Sequence, residues 1–476
     1  MKVMVVGHGA REHCIVRRLV DEGCETVSVY RKPNAGLEHT AGQKFQVKSY
    51  QPKDIARIAT RQRVDIVFPG TEEALFAGIV DTCRVLGIPC VGPTQAACDL
   101  EADRRIAIDS LSKHFPKHLA NSVVIHTEAH LASIAAHRGK RHGAGVVVKR
   151  VHNVNGHFVK HINLSSVSDR SALVAHLPVV LEDFTPGDNF SLYYLLGRSW
   201  YYYLMSVVDY PYLTQAKHVL TGGMGAVSFG ASPWLVSKRD LSACQSICGK
   251  LLDDIFQHET RRYSGVFVAQ FRKSGRRLLL SEIEVKPGDP EFINILLSMA
   301  TPFKSCLTAM VDGAQPEIKL HKQAVVTVCH APRTYAGTVG QSGGTIPCNI
   351  VDHPYIFIGE TRRTQYGLET GASRTLSVVG AGRSVETARL AAYRVSKDIN
   401  LGLYYRPDIG HDISIKARTR VAASAAALRA TGGGRKTFSL SPAAIRALYT
   451  LRQRPDAPDT DSELIDRLLR RAAHQH

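Results

Sequence analysis

The sequence predicts a chain of mixed class, α/β at the N-terminus and α+β in the middle, with a small strand-rich unit behind them and a basic tail. Three observations predict it. Short apolar runs alternate with amphipathic helical patterns over about residues 1–95, as in a doubly wound parallel sheet. After Gly145 the texture changes to strand-like runs joined by short turns, the mark of antiparallel sheet. Beyond residue 416 the chain turns basic and rich in Ala and Gly, which reads as a linker. The expected divisions are 1–100, 101–315, 316–415 and 416–476.

Each element has a local reason. KVMVVGHG (2–9) is a buried strand running into a Gly-bearing turn, and the helix after it carries Cys14, Ile15, Leu19 and Val20 on one face. TVSVY, VDIVFPG and IPCVGP read as three further strands, with helices over 53–63 and 73–87. Ligands of such sheets sit at the carboxyl ends of the strands, where Gly7, Gly9, Pro69, Gly70, Gly92 and Pro93 fall. GHGARE lacks the third glycine of a dinucleotide fingerprint, and a lone GxG after a strand is more often a tight turn. Residues 96–138 read as helical. VVVKR, HFVKHI, VVLEDF, SLYYLL, SWYYYLMSVV, GVFVAQF and RLLLSEIEV then read as strands, RDLSACQSICGKLLDDIFQH as one long helix and VETARLAAYRVSKDIN as a late one.

Composition narrows the classes. The 476 residues are 44% hydrophobic and 21% charged, which fits about three globular domains of roughly 150 residues each. No run approaches the ~18 apolar residues of a membrane span, and the opening lacks the apolar core of a secretory leader. A cytoplasmic protein with no membrane partner is expected. The ten cysteines contain no CxxC pair, so small buried hydrophobes are expected rather than a disulfide framework or a zinc site. The net charge of +18, of which +7 lies in 416–476, invites anionic partners.

Three constellations carry candidate chemistry. Lys149 ends the strand GVVVK ahead of a turn with Asn155, Gly156 and His157. It is either a surface lysine or a cation for phosphate oxygens. VVLEDF ends in Glu182, Asp183 and Phe184 and turns at Pro186–Gly187. That is either an ordinary strand end or a presentation of backbone groups to an adenine ring. In LLLSEIEVKPGDPEF, Glu282 and Glu284 stand two apart on one strand and so share a face. Adjacent carboxylates repel unless a cation lies between them, and hard oxygen donors suit Mg²⁺; an acidic exposed edge is the alternative. The Gly-rich TGGMGA (221–226) can approach a ligand closely.

In that order the motifs resemble the phosphoribosylamine–glycine ligase (glycinamide ribonucleotide synthetase) family of the ATP-grasp superfamily. The resemblance covers about residues 1–412. It runs through GHGAREH (7–13), PNAG (33–36), GTEEALFAGI (70–79), VGPTQAACDLEADRR (91–105), VVVK (146–149), VVLEDFTPG (179–187), TGGMGAVS (221–228), EIEVKPGDPEF (282–292) and GLYYRPDIG (402–410). It implies an ATP-grasp fold for the central region. It also implies an ATP-dependent ligation of glycine to 5-phosphoribosylamine through an acyl phosphate, in purine synthesis, with ATP and Mg²⁺ (or Mn²⁺) as cofactors. The implied metal ligands are Glu282 and Glu284. The implied nucleotide contacts are Arg104, Lys149, Gly156, His157, Glu182, Asp183, Phe184 and Asn189. The implied substrate contacts are Gly9, Arg11, Glu12, Asn34, Gly70, Glu72, Gly222, Gly223, Met224, Gly225, Asp289, Pro290 and Glu291. Asp209 and Lys286 are the implied catalytic pair.

The sequence departs from the family pattern at several of these positions. The lid's Gly-Lys-Gly is Gly156-His157-Phe158, and the second metal ligand, usually Asn, is Glu284. The Arg that usually follows is Lys286, which lacks a bidentate fork. The ribose acid is Asn189 beside Asp188, the His-Lys after Asp209 is Tyr210-Pro211, and the Lys after the LE motif is Arg104. These changes keep two alternatives open: a ligase of another amino acid and amine, and a silent nucleotide-binding regulator. The expected partners are small molecules, an amino acid and a phosphorylated sugar amine. Nucleic acid enters only through 416–476, whose strand–helix–helix outline is similar to ribbon–helix–helix modules but more readily fits an amphipathic helical hairpin, for docking or as a solvated appendage.

Overall fold

The computed structural model describes residues 1–138, 146–151, 159–164, 166–215, 219–230, 237–335, 344–399 and 401–414. The lid residues Gly156 and His157 and the tail 416–476 lie outside them. The N-terminal sheet is parallel, in the order Gln43–Gln46, Glu25–Tyr30, Lys2–Val6, Ile66–Pro69. Val3, Met4, Val5 and Val6 are all buried, as a strand covered on both faces requires. IPCVGP is not a fourth strand. It makes single bridges, Val67 to Cys90 and Gly92 to Ser264, and the fourth strand is the mostly exposed Gln43–Gln46, which has no apolar run to announce it. The expected helix over 73–87 is two, Glu72–Phe76 and Ile79–Val85, parted at Gly78 with φ +86°.

Residues 96–138 are not wholly helical. Helices Gln95–Ala102 and Arg104–His114 precede a strand, Ser122–Ile125, and the helix Glu128–Arg138. That strand forms one edge of a four-stranded antiparallel sheet with Val179–Asp183, Val146–Arg150 and Val159–Ile162.

The main sheet has eight antiparallel strands. Their order is Arg277–Glu284, Gly265–Ser274, Asp188–Leu196, Tyr201–Asp209, Gly225–Phe229, Ala324–His330, Leu376–Gly382, Ile356–Ile358. The last three come from the strand-rich region 316–415 and continue the central sheet. Alternation along Asp188–Leu196 divides two cores. Phe190, Leu192, Tyr194 and Leu196 pack with Cys244, Ile247, Cys248 and Leu251 of the helix Lys238–Gln257. Tyr193 and Leu195 pack with Phe292 and Ile295 of the helix Glu291–Ser298 on the other face. Ser237 caps the long helix, accepting from the Asp240 N–H at 3.1 Å. All ten cysteines are free thiols, eight of them buried. Among the described residues no helix is long and apolar enough to cross a membrane.

Candidate active site

A cavity of about 560 Å³ opens where the small sheet faces the end of the large one. Val147, Lys149, Glu182 and Asp183 reach it from the small sheet. Asn189, Asp209, Gln270, Arg272, Glu282 and Glu284 reach it from the large one.

The strand Arg277–Glu284 is shaped for this. Its register with Gly265–Ser274 slips between Gln270 and Phe271, leaving Ser281 as an extra residue. Such a bulge re-aims side chains, and residues 279–282 all line the cavity. Ser281 Oγ donates to the Gln270 carbonyl at 3.0 Å and fixes the slip. Glu282 and Glu284 both face the cavity, as their spacing predicts, with Ile283 buried between them.

Each acid is placed by a neighbour. Arg104 Nη2 donates to Glu282 Oε1 at 2.7 Å. Gln270 Nε2 donates to Glu284 Oε1 at 2.6 Å. Lys149 Nζ bridges the two sheets, 2.8 Å from Glu182 Oε2 and 3.2 Å from the Ser281 carbonyl. Lys286 Nζ lies 2.5 Å from Glu101 Oε1, 3.4 Å from Glu284 Oε2 and 3.9 Å from Glu72 Oε2.

Carboxylates outnumber cations around the cavity, eight against the five of Arg11, Lys149, Arg272, Lys286 and Arg374. The surplus raises the buried acids among them. Burial, then Glu284 and Glu282, push Asp209 up to about 6. Burial, then Asp209 and Glu284, push Glu291 up to about 8. Burial alone lowers a lysine, but Glu101, Glu284 and Glu72 outweigh it and hold Lys286 well above its usual value. Among the described residues no three His, Cys, Asp or Glu side chains form a metal cage. Two hard carboxylates in a negative cavity fit a divalent ion that takes its other ligands from phosphates and water.

The other expected contacts divide. Arg11, Glu72, Gly222, Gly223, Asp289 and Glu291 line the cavity. Arg104 lies behind Glu282 and acts on it. Phe184 is turned outward under Arg272, 6.0 Å from ring to guanidinium. Met224 and Gly225 are buried in the sheet. Pro290 packs under Gly223, where a side chain would clash with it and where φ is +105°.

The N-terminal loops are occupied from within. Glu12 takes the Gly9 N–H at 2.7 Å and the Arg11 Nε at 2.7 Å, and its carboxylate fills the space left by Gly7, Gly9 and Gly70. Asn34 is fully buried. It donates to the His8 and Ile358 carbonyls at 2.9 and 2.8 Å and accepts from Leu37. It holds the loops together and does not reach the cavity.

Sequence reasoning missed Gln270, Arg272, Tyr335 and Arg374. The first two are alternate residues of one strand, a legible signal. Arg374 arrives from a distant turn to bond the Gly223 and Asp289 carbonyls at 3.1 and 2.7 Å and the Asp289 carboxylate at 3.1 Å. No local motif marks it.

Two family models match this chain: Phosphoribosylglycinamide synthetase, N domain, over residues 1–101, and its ATP-grasp (A) domain over 109–292. Together they cover more than half of the sequence. The chain belongs to the phosphoribosylglycinamide synthetase family. Phosphoribosylamine–glycine ligases are similar along most of its length. That of Methanobrevibacter smithii is 27% identical over 430 residues, 86% of this chain and 96% of the relative. That of Mycobacterium tuberculosis is 27% identical over 422 residues, 86% and 98%.

The crystal structure of the Thermotoga maritima phosphoribosylamine–glycine ligase matches with a TM-score of 0.69 at 20% identity, over 86% of this chain and all of that one. A Campylobacter jejuni biotin carboxylase in a β-γ-ATP complex matches at 0.63 and 13%, over 85% and 91%. These likenesses show the fold, and the matching ATP-grasp (A) domain model names it. One departure from the synthetase pattern is absorbed by packing. Tyr210 Oη donates to Asp412 at 2.6 Å, accepts from the Gly410 N–H at 3.0 Å and lies under Arg406, so it docks the GLYYRPDIG segment.

Proposed function

We propose that this chain is an ATP-dependent carbon–nitrogen ligase that joins glycine to 5-phosphoribosylamine in purine synthesis. The observation that carries the reading is the convergence of Lys149, Asp209, Glu282 and Glu284 on one cavity between the two sheets. The family's ligases supply the substrates.

A glycine carboxylate oxygen attacks the γ-phosphorus of ATP, and ADP leaves. The amine of phosphoribosylamine then attacks the acyl carbon, phosphate leaves with the transferred oxygen, and the amine loses a proton. Phosphoryl transfer asks chiefly for positioning and for cations on the phosphates. Lys149, fixed at the seam of the sheets, supplies one such charge. Glu282 and Glu284 would hold Mg²⁺, which supplies Lewis-acid stabilisation of charge on the phosphates. Asp183 and Asn189, on adjoining parts of the cavity wall, orient the nucleoside. Arg272 fixes Asn189 by donating to its Oδ1 at 2.8 Å. Asp209, with its value near 6, can take up a proton close to neutral pH. Arg11, Asp289 and the Gly222–Gly223 turn border the end of the cavity that receives the sugar amine.

ADP release tests the reading. Purified chain is supplied with ATP and Mg²⁺, then glycine, phosphoribosylamine or both. Release that needs both supports the ligase. Release with another amino acid and none with glycine replaces the substrate assignment, and nucleotide binding without turnover removes the activity.

A further inference from the structure

We propose that Glu101 is a positioning residue that keeps Lys286 from neutralising Glu284, and so preserves Glu284 as a cation ligand. The inference rests on Glu282 and Glu284 as the metal pair. Glu101 is buried near the end of the helix Gln95–Ala102, outside the cavity lining. Its two oxygens are divided between two tasks. Oε2 accepts the Val285 N–H at 2.9 Å, which anchors the helix to the residue after Glu284. Oε1 takes Lys286 Nζ at 2.5 Å.

The same ammonium stands 3.4 Å from Glu284 Oε2, so Glu101 and Glu284 compete for one buried cation, with Glu72 a third acid farther off at 3.9 Å. The short contact goes to Glu101, and the long one is left to Glu284. The other oxygen of Glu284 is met by Gln270, a neutral donor. Glu284 therefore keeps more of its charge than it would if Lys286 swung over. A fully paired carboxylate is a poor ligand for a hard divalent ion, because the ion must first displace the ammonium. The helix that carries Glu101 packs on the helix Glu72–Phe76 of the N-terminal module and on the cavity strand, so the residue also ties the strand to that module.

Titration with Mn²⁺ in the presence of a non-hydrolysable ATP analogue, followed by electron paramagnetic resonance, tests this on the full chain. Glu101→Gln keeps the Val285 acceptor and the shape but loses the charge. It should weaken Mn²⁺ about tenfold, a change of about 1.4 kcal/mol, as Lys286 turns to Glu284. Glu101→Asp should recover part of the affinity. Lys286→Met introduced into Glu101→Gln should restore it, because the competing ammonium is gone. A purely structural role would lower the thermal midpoint of Glu101→Gln and leave its Mn²⁺ affinity, and its response to Lys286→Met, unchanged; that result overturns the proposal. The Glu284→Gln control separates the two levels. If wild-type Mn²⁺ binding does not depend on Glu284, the metal pair fails and this inference fails with it. If it does depend on Glu284 while Glu101→Gln binds like wild type, Glu101 alone is refuted.

Discussion

The N-terminal strand-end loops and the strand Arg277–Glu284 both carry residues that the sequence marks as functional, yet they use them differently. In the loops, Glu12 fills the cradle of Gly7, Gly9 and Gly70, and Asn34 bonds its own scaffold. Along the strand, Glu282 and Glu284 face the open cavity. A motif rich in glycine and small polar residues serves local packing as readily as a ligand. Paired acids on one strand face cannot satisfy each other; Arg104, Gln270 and Lys286 meet them from the protein side, and the pair still lines the cavity.

That contrast orders the expected effects of substitution. The largest lies on the strand. Glu282→Ala should lower turnover by a factor of about 100 or more, the several kcal/mol of a lost metal ligand, with the far-ultraviolet dichroism unchanged. Turnover close to wild type would place the metal elsewhere. Next, Lys149→Ala should weaken binding of an ATP analogue by roughly tenfold to a hundredfold, the worth of a charge-assisted contact to phosphate. Calorimetry reads it, and an unaltered affinity would return Lys149 to the role of a strut between Glu182 and Ser281.

In the loops the order reverses. Asn34→Ala should cost about 2 kcal/mol of stability by stranding buried carbonyls and an N–H, with the KM for either substrate unchanged. A risen KM at an unchanged melting temperature would return Asn34 to the substrate site.

The smallest effect concerns acid. Burial holds His330 at about 3, against 6.5 for a free histidine, while it bonds Ser396 and stacks on Tyr405. The unfolded chain protonates below about 6.5 and the native one only below about 3. Stability from this group is therefore whole above 6.5 and drains as pH falls toward 3. His330→Gln should shift the acid-unfolding midpoint downward by a few tenths of a pH unit, and an unmoved midpoint would assign the acid sensitivity to other groups.

Much of the fold was legible because periodicity reports burial. The alternation in SLYYLL and the i, i+3, i+4 spacing of Cys244, Ile247, Cys248 and Leu251 are direct images of two packed faces. Gln43–Gln46 escaped because an exposed edge strand needs no apolar pattern. The join of Ala324–His330 to Gly225–Phe229 escaped because sheet order is a property of pairing between distant segments. In the site, residues on one strand could be read together. Arg374 and Tyr335 could not, since long connections alone bring them to Gly222 and Gly223.

The most direct measurement of the central claim follows oxygen. Glycine labelled with ¹⁸O in its carboxylate is given to the chain with ATP, Mg²⁺ and phosphoribosylamine, and the released phosphate is weighed by mass spectrometry. This account expects one ¹⁸O in each phosphate, stoichiometric with ADP, because the carboxylate oxygen leaves on phosphorus. ADP accompanied by unlabelled phosphate would contradict it, and would make the cavity a site of simple ATP hydrolysis.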